Sequence, residues 1–297
     1  MVDAVHRDAQ GATIRFVGDV CITEFTDPAC PWAYSAEPFR RRLRWTFGDH
    51  IEWRSRMVVL AETAEEPIER GFTPERQAES FARIARDHHM PIDTRVRPRM
   101  TSGLPSCRAV VAARRHAPEH MESLLRELRV CHFAAELIDE PDVVAGAAAE
   151  AGLDPRDLAK WADEPETESE LREDMAAARK PLPAARALDH KLANWSGGRR
   201  YTCPSYEIAR RSDGVRIAVP GFQPFPVYDV IAANLVPGLG RREAPASVEE
   251  VLRWAGEPLA TQEVAVVCDI PLEQAREELG RVASERHLGA DGLWSLS

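Results

Sequence analysis

The cysteine at position 30 is the residue in this chain whose surroundings most clearly favour chemistry. It follows an apolar segment, 20–25, that predicts a strand, and it precedes Pro31, which suits a first helical turn because its missing N–H is not needed there. Cys30 would then be the N-cap, where unpaired backbone donors and the positive end of the helix dipole favour a thiolate. The tetrapeptide C-P-W-A at 30–33 has the form of a two-cysteine redox motif in which Ala33 replaces the second cysteine.

The missing second cysteine limits what Cys30 could do. A thiolate attacks a disulfide to form a mixed disulfide, and a second thiol normally resolves it. With Ala33 in place of that thiol, Cys30 alone could form the mixed disulfide but could not complete the usual cycle. The alternative interpretation of Cys30 is a small, buried and inert thiol, which is the usual fate of cysteine.

The composition is that of a soluble globular protein of 297 residues, 44% hydrophobic and 29% charged. No apolar run approaches the roughly 20 residues of a membrane span, and the polar, acidic N-terminus does not resemble a secretory signal. We therefore expect a cytoplasmic location, no membrane partner and no structural disulfides among the six cysteines. The net charge of −10 makes nucleic acid an unfavourable partner.

The elements that must position Cys30 predict a β-α-β start followed by a helical region. After the first strand, a helix from Pro31 ends at Gly48, and a second strand is predicted over 51–60. Thr73 and Pro74 mark the start of a helix in the region 62–191. Further helices are predicted in that region at 106–116, 118–137, 141–151, 155–162 and 168–179. Strands return at 205–209 and 215–219 around a Ser-Asp-Gly turn, followed by a helix at 227–234 and a linker.

This order of elements resembles the DsbA/FrnE-like branch of the thioredoxin superfamily over about residues 20–240. The resemblance rests on four segments: F-T-D-P-A-C-P-W-A-Y at 25–34, A-G-L-D-P at 151–155, Y-T-C-P-S-Y at 201–206 and P-G-F-Q at 220–223. It implies an α/β thioredoxin-like fold with an all-helical insertion domain. It also implies thiol–disulfide exchange with Cys30 as nucleophile, and a cis-proline, Pro204, opposite that cysteine.

Three alternatives follow from the loss of the second motif cysteine. Cys203 precedes the implied cis-proline and could resolve the mixed disulfide, although a small residue filling the loop explains it as well. A low-molecular-weight thiol could act as resolver or cosubstrate, as in thiol-dependent isomerases or transferases; no other cofactor is expected. The protein could also be a non-catalytic adaptor that binds a protein partner. The residues expected to line the substrate groove are Pro31, Trp32, Ala33, Tyr34, Thr202 and Pro204.

Other candidate residues have stronger structural interpretations. Cys107, at the head of a predicted helix, is a weaker candidate for a second thiol. Asp27 could tune Cys30 or accept a proton, and a role in capping the loop is equally consistent. The pair His88-His89 does not predict a metal site, since adjacent residues face different sides of a helix and no third ligand lies at a suitable spacing. The remaining cysteines are expected in the core: Cys21, Cys131 and Cys268.

The C-terminal segment predicts a separate winged-helix-like module. Helices are expected over 247–255, 261–268 and 271–286, followed by a turn and strand at 291–294. Residues 246–297 contain ten acidic and four arginine side chains, and this net charge of −6 opposes binding to DNA phosphates. Docking on the main domain or on a partner in a homodimer is the better interpretation.

The sequence therefore predicts three units: a thioredoxin-like domain formed by residues 1–61 and 192–240, a helical insertion at 62–191, and the winged-helix-like module at 241–297. The expected partner is a protein or small-molecule thiol or disulfide, and no metal is expected.

Overall fold

The computed structural model describes residues 6–7, 13–14, 19–195 and 198–296, so most of the N-terminal segment used for the signal prediction lies outside it. The elements up to the end of the first β-α-β unit are β1 (His6–Arg7), β2 (Thr13–Ile14), β3 (Val20–Thr26), α1 (Pro31–Ser35), α2 (Glu37–Phe47) and β4 (Ile51–Met57). The helical region contains α3 (Glu65–Glu69), α4 (Pro74–His88), α5 (Leu104–His116), α6 (Met121–Phe133), α7 (Pro141–Glu150), α8 (Pro155–Ala162), α9 (Pro165–Ala178) and α10 (Pro183–Ala187).

The chain then returns to the sheet and ends in a small module. The returning elements are β5 (Leu192–Trp195), β6 (Gly198–Tyr201), β7 (Ser205–Arg210), β8 (Arg216–Pro220) and α11 (Phe225–Leu235). The C-terminal module consists of α12 (Val248–Ala255), β9 (Leu259–Ala260), α13 (Thr261–Cys268), α14 (Leu272–Val282), β10 (Ala283–Leu288) and β11 (Asp291–Leu296). Among the described residues, no helix is both long and apolar enough to cross a membrane.

The central sheet has the strand order β4-β3-β7-β8. Strand β3 is parallel to β4 and antiparallel to β7, which is antiparallel to β8. Both ends of β3 are buried, as a central strand covered on both faces requires. Because Phe25 pairs with Ser205, the loop that follows β3 and the loop that precedes β7 meet at the same end of the sheet. These two loops contain Cys30 and Cys203.

Local signals fix the start and end of helices in the insertion. The Thr73 hydroxyl accepts a hydrogen bond from the Arg76 amide at 3.4 Å, and α4 ends where His89 adopts a left-handed conformation. The Asp154 side chain caps α8 in the same way, through the amides of Arg156 and Asp157. The observed architecture confirms the predicted thioredoxin-like α/β fold with a helical insertion.

The C-terminal module docks on the main domain. Trp45 of α2 lies in the module's own apolar cluster, with Val251 and Leu252 of α12, and its indole N–H donates to the Glu243 carbonyl at 2.8 Å. The module also reaches the insertion, because Ala260 packs in the same cluster as Phe81 of α4. Docking on the main domain, one of the two expected arrangements, is therefore what the structure contains.

The fold differs from the prediction in several places: the helix predicted from Pro31 is divided into α1 and α2, and the short elements α3, α10 and β9 were not predicted. Two further differences concern hairpins. The hairpin β5–β6 was not predicted, and it leads directly into the Cys203 loop. The last predicted helix, 271–286, ends at Val282, and the following residues form β10, which pairs with β11. Gly289 has a φ of +61° in the two-residue turn of that hairpin. A two-residue turn that needs positive φ favours pairing of the flanking strands over continuation of the helix.

Candidate active site

Cys30 lies at the N-cap of α1, with Pro31 as the first helical residue. Its amide donates to the Asp27 carbonyl at 3.1 Å, and its carbonyl accepts from the Tyr34 amide at 3.0 Å. The Cys30 thiol donates to the Cys203 carbonyl at 3.2 Å, and its residue is only 3% exposed. The side chain forms no capping hydrogen bond to α1. The sulfur is therefore held between the start of a helix and the loop before β7.

The second sulfur at this site belongs to Cys203. The peptide bond between Cys203 and Pro204 is cis. Cys203 is 6% exposed and packs in one small cluster with Cys30 and Ala33, against Leu60. Burial raises the pKa of the Cys203 thiol well above its usual value, and its hydrogen bond with the Cys30 side chain and the charge of Asp27 act in the same direction. Cys203 is thus held as a thiol in the resting protein.

Asp27 lies fully buried under the two cysteines and holds the loop together. Its carboxylate accepts hydrogen bonds from the Ala29 amide at 2.7 Å and the Leu60 amide at 2.8 Å. Burial raises the pKa of Asp27, although these amide bonds oppose the rise. The contacts are those of a loop cap, one of the two roles expected from the sequence. A Cβ added at Gly103 would lie 3.0 Å from its Oδ2, so the carboxylate is enclosed on that side as well.

Cys107 contacts Asp27 and packs with the core of the insertion. Its thiol is 3.6 Å from Asp27 Oδ2, and its burial and the Asp27 charge raise its pKa well above the usual value. It packs in the large apolar cluster of the insertion, whereas Cys30 and Cys203 share a cluster of their own. The geometry therefore brings Cys203, and not Cys107, to Cys30.

The remaining cysteines lie in helices and strands. Cys21 is buried in β3, whereas Cys131 and Cys268 are half-buried. Burial raises the pKa of Cys131 to about 12 and that of Cys268 to about 11. Their thiols are therefore poor nucleophiles at neutral pH.

An aromatic cluster, formed by Trp32, His88, Phe222 and Phe39, borders the site on the side of α1. Trp32 is 39% exposed, and its ring centroid lies 5.2 Å from that of His88 and 5.8 Å from that of Phe222. Phe222 also contacts Phe39, with 5.6 Å between centroids. Burial lowers the pKa of His88. Sequence reasoning missed this grouping, although the P-G-F-Q segment that contains Phe222 was among the four that carry the resemblance.

Four of the residues expected to line a groove have distinct positions. Pro31 and Thr202 are half-buried beside the two cysteines, and Pro204 and Ala33 are buried. The Thr202 carbonyl accepts from the Ser205 hydroxyl at 2.7 Å, which ties the loop to β7. These four residues lie next to the two cysteines. Of all the residues expected to line the groove, Trp32 is the one with an exposed side chain.

The expectation that Tyr34 lines an accessible groove is wrong. It is 0% exposed, and its ring stacks on Phe133 of α6 at 4.4 Å between centroids. Burial raises the pKa of its hydroxyl. Tyr34 is one helical turn beyond Cys30 and faces the insertion, so it joins α1 to α6 and does not line the surface.

Arg200 lies beside the cysteines and was also missed. It is on β6, three residues before Cys203, and is 7% exposed. Its Nη1 donates to the Tyr201 carbonyl at 2.8 Å. Burial lowers the pKa of Arg200, and the charges that oppose this are, in order, those of Cys203, Cys30 and Asp27. Arg200 is the second of two adjacent arginines, and such a pair gives no sequence signal of a buried position.

No group suited to a metal ion is found among the described residues, taking three or more His, Cys, Asp or Glu side chains as the requirement. His88 contacts aromatic rings, and His89 ends α4. A cleft of about 990 Å³ lies elsewhere, between β4, α9 and α12, and its walls include Trp53, Arg114 and Trp254. The described residues of its walls do not include the two cysteines.

The parallel β3–β4 pair, the cysteine at the start of α1 and the cis-proline loop before β7 together define a thioredoxin-like protein. The family model of the DSBA-like thioredoxin domain matches residues 21–181, and the chain belongs to this family. Membership suggests thiol–disulfide oxidoreductase activity.

Two similar proteins are named "ClpXP adapter protein SpxH". The one from Halalkalibacterium halodurans is 25% identical over 276 residues, which cover 90% of this chain and 84% of the relative. The one from Shouchella clausii is 24% identical over 262 residues, 87% of this chain and 80% of the relative.

Solved structures share the fold at low identity. A probable DsbA oxidoreductase from Streptomyces coelicolor superposes with a TM-score of 0.53 at 18% identity, covering 76% of this chain and 100% of that one. The cytosolic disulfide reductase DsbM from Pseudomonas aeruginosa with GSH gives 0.51 at 19% identity, covering 72% and 98%.

Proposed function

We propose that this protein carries out thiol–disulfide exchange with Cys30 as its single motif nucleophile and Cys203 as the resolving thiol. The observation that supports this most directly is the packing of the two thiols against each other, with Cys30 at a helix N-terminus. Cys30 has the motif position of the attacking thiol at the start of α1, while burial raises the pKa of Cys203 and so disfavours Cys203 as the first attacker. The two sulfurs would thus have different roles from the start.

The exchange runs in two steps. The Cys30 thiolate attacks one sulfur of a substrate disulfide, so that a Cys30–substrate bond forms and the other substrate sulfur leaves as a thiolate. Cys203 then loses its proton and attacks the Cys30 sulfur, releasing the second substrate thiolate. The substrate disulfide gains two electrons, and Cys30 and Cys203 lose two as they form a disulfide. A low-molecular-weight thiol would reduce that disulfide to begin another cycle.

Peptide mass spectrometry of mildly oxidised protein tests this proposal. We expect a disulfide-linked peptide pair containing Cys30 and Cys203, lost in Cys30→Ser and in Cys203→Ser. Cys107→Ser is the matched control, because Cys107 is buried outside this cluster, and it should keep the link. With Cys203→Ser and a small disulfide, the mixed disulfide at Cys30 should accumulate. Finding both cysteines unlinked after oxidation, with no mixed disulfide in Cys203→Ser, would refute the proposal.

A second candidate function is a protein-binding adaptor, in which the thiols have no turnover. Two observations favour it: Cys30 is nearly buried, and the relatives named as ClpXP adapters match over 90% and 87% of this chain. The exposed Trp32 would then contact the partner.

Affinity capture with wild-type, Cys30→Ser and Trp32→Ala proteins separates the two functions. A partner kept by Cys30→Ser but lost by Trp32→Ala supports the adaptor, provided that this chain also accelerates its degradation by ClpXP. A partner trapped only through a disulfide to Cys30 supports exchange. The cytoplasmic location and the lack of a cofactor stay predictions.

A further inference from the structure

Both cysteines of the candidate site are buried. Cys30 and Cys203 pack with Ala33 against Leu60, and this packing leaves little of either residue exposed. In disulfide exchange the attacking sulfur has to contact a sulfur of the substrate, so access to the thiol limits the rate. The arrangement in the structure therefore has to open before Cys30 can react, and the element that begins at Cys30 is α1.

Helix α1 is too short to hold its own position. It spans five residues, and isolated helices of that length are unstable in water, so contacts of its side chains fix it. Its largest buried side chain is that of Tyr34, whose amide also donates to the Cys30 carbonyl at 3.0 Å. A displacement of Tyr34 would therefore move the backbone of Cys30 as well.

The C-terminal module supplies part of the packing that holds Tyr34. The apolar cluster that contains Tyr34, called the Tyr34 cluster below, includes Ala260 of β9 and Leu293 of β11. These two module residues are paired with each other between the antiparallel strands, and both are buried. The other members belong to the insertion, among them Phe133, whose ring stacks on that of Tyr34. The insertion and the module thus hold α1 together.

A second contact joins Tyr34 to the module through Arg126 of α6. The Arg126 guanidinium lies over the Tyr34 ring, with 5.7 Å between Cζ and the ring centroid. The same guanidinium pairs with Glu263 of α13 at 2.5 Å, and both side chains of this pair are buried. The module therefore acts on Tyr34 from two places, the β9–β11 pair and α13.

We propose that the C-terminal module regulates access to Cys30 by restraining α1. While the module packs against the Tyr34 cluster, α1 keeps Cys30 closed; when that contact loosens, Cys30 becomes accessible to a substrate disulfide. The inference rests on the proposed exchange function and describes how the same thiol is controlled. The module has a separate apolar core that includes Trp45 of α2, so it can stay attached to the main domain while its contact with the Tyr34 cluster loosens.

The test is the rate of Cys30 alkylation by iodoacetamide in the folded protein, followed on the Cys30 peptide by mass spectrometry. Leu293→Ala removes a module side chain from the Tyr34 cluster, and we expect it to raise this rate about tenfold. Rates are compared on the alkaline plateau of the pH profile, where ionisation of the thiol no longer limits them. Cys107, which is buried in the core of the insertion, should stay unreactive in the same sample. Its protection distinguishes local opening of α1 from unfolding.

Leu279→Ala is the matched control. Leu279 is a buried leucine of the same module, but it belongs to the module's own core and not to the Tyr34 cluster. It should destabilise the module without a comparable rise in Cys30 alkylation. Equal acceleration in Leu279→Ala and Leu293→Ala, or an unchanged rate in Leu293→Ala, would overturn the inference.

Gly289→Ala displaces the module in a second way, should Leu293→Ala not fold. A Cβ added at Gly289 would lie 2.2 Å from the Ile92 carbonyl oxygen, and Ile92 is itself a member of the Tyr34 cluster. We expect Gly289→Ala to accelerate Cys30 alkylation while Cys107 stays protected. Circular dichroism shows which variants are native, and an unchanged Cys30 rate in a native Gly289→Ala protein would also contradict the inference.

The two proposals fail in different ways. If wild-type protein forms the Cys30–Cys203 link while Leu293→Ala leaves Cys30 alkylation unchanged, the exchange function survives and control by the module does not. If Leu293→Ala accelerates alkylation but Cys30 forms neither that link nor a mixed disulfide, control of access stands and the exchange function fails.

Discussion

Among single residues, the replacement of the second motif cysteine by Ala33 changes the site less than the sequence implies. Ala33 fills the space beside Cys30 with a small apolar group, and the Cys203 thiol packs against both. The site therefore still contains two sulfurs, but they come from different loops of the fold. Whether the pair exchanges disulfides depends on properties of Cys203 that burial controls, because its raised pKa slows the resolving step near neutral pH.

A different buried residue, His132, makes stability depend on pH. Its two ring nitrogens lack a hydrogen-bond partner among the described residues, and burial, with the charge of Arg97, lowers its pKa well below 6.5. The unfolded chain therefore binds a proton near pH 6.5 that the folded protein excludes. Stability is fully present above that pH and falls as the pH decreases.

We expect the His132 contribution to cost about 2 kcal/mol of unfolding free energy between pH 7 and pH 5. Urea unfolding of wild-type and His132→Gln proteins at both pH values measures it: the loss on acidification should be smaller in the variant by about this amount. His287→Gln, at an exposed histidine, should behave as wild type. An equal loss in wild-type and His132→Gln proteins would contradict the assignment.

Gly289 allows the hairpin β10–β11 to lie close to the insertion. Gly289, in its turn, has a φ of +61°, and a Cβ added there would lie 2.2 Å from the Ile92 carbonyl oxygen of the insertion. We expect Gly289→Ala to destabilise the protein by about 1–3 kcal/mol, because both the left-handed conformation and the contact penalise a side chain. Limited proteolysis should also cut this hairpin faster.

Gly256→Ala is the control for that prediction. Gly256 ends α12 with a φ of +66°, and nothing lies within 4 Å of an added Cβ. This variant has the backbone strain without the clash, so it should cost about 1 kcal/mol. Equal effects of the two substitutions would mean that the Ile92 contact does not hold the hairpin in place.

The same elements show what the sequence could and could not predict. Helices with a cap and a proline at the start were placed closely, as Thr73 and Pro74 were for α4. The strand β10 was assigned to a helix, because its residues favour a helix locally and only the pairing with β11 makes them a strand. Cys203 was placed beside Cys30 through the resemblance. Arg200 was not, since its position depends on the hairpin β5–β6, whose sequence signal, Ser-Gly-Gly at 196–198, was not used in the prediction.

Across the whole molecule, buried ion pairs join the three units. Arg129 of α6 pairs with Glu24 of β3 and Glu37 of α2, and Arg126 of α6 pairs with Glu263 of α13 at 2.5 Å. Arg41 of α2 also lies 3.5 Å from Glu263. The insertion, the sheet and the C-terminal module are thus connected through ion pairs whose side chains are buried. Such pairs stabilise little when intact, but removing one partner leaves a buried charge uncompensated.

Glu263→Gln should therefore destabilise the protein by about 3–5 kcal/mol, as measured by urea unfolding. Glu263 also accepts from the Ala260 amide at 2.8 Å, a bond that a glutamine oxygen can retain, so the loss reports mainly on the charge.

Glu257→Gln is the control: Glu257 pairs with Arg41 at 2.6 Å but is partly exposed, and its loss should cost about 1 kcal/mol or less. Adding Arg126→Met to Glu263→Gln should recover part of the loss, since the uncompensated cation is removed with it. If the double variant is as unstable as the two single losses added together, the pair is not coupled and the module is held by its apolar contacts with Trp45 instead.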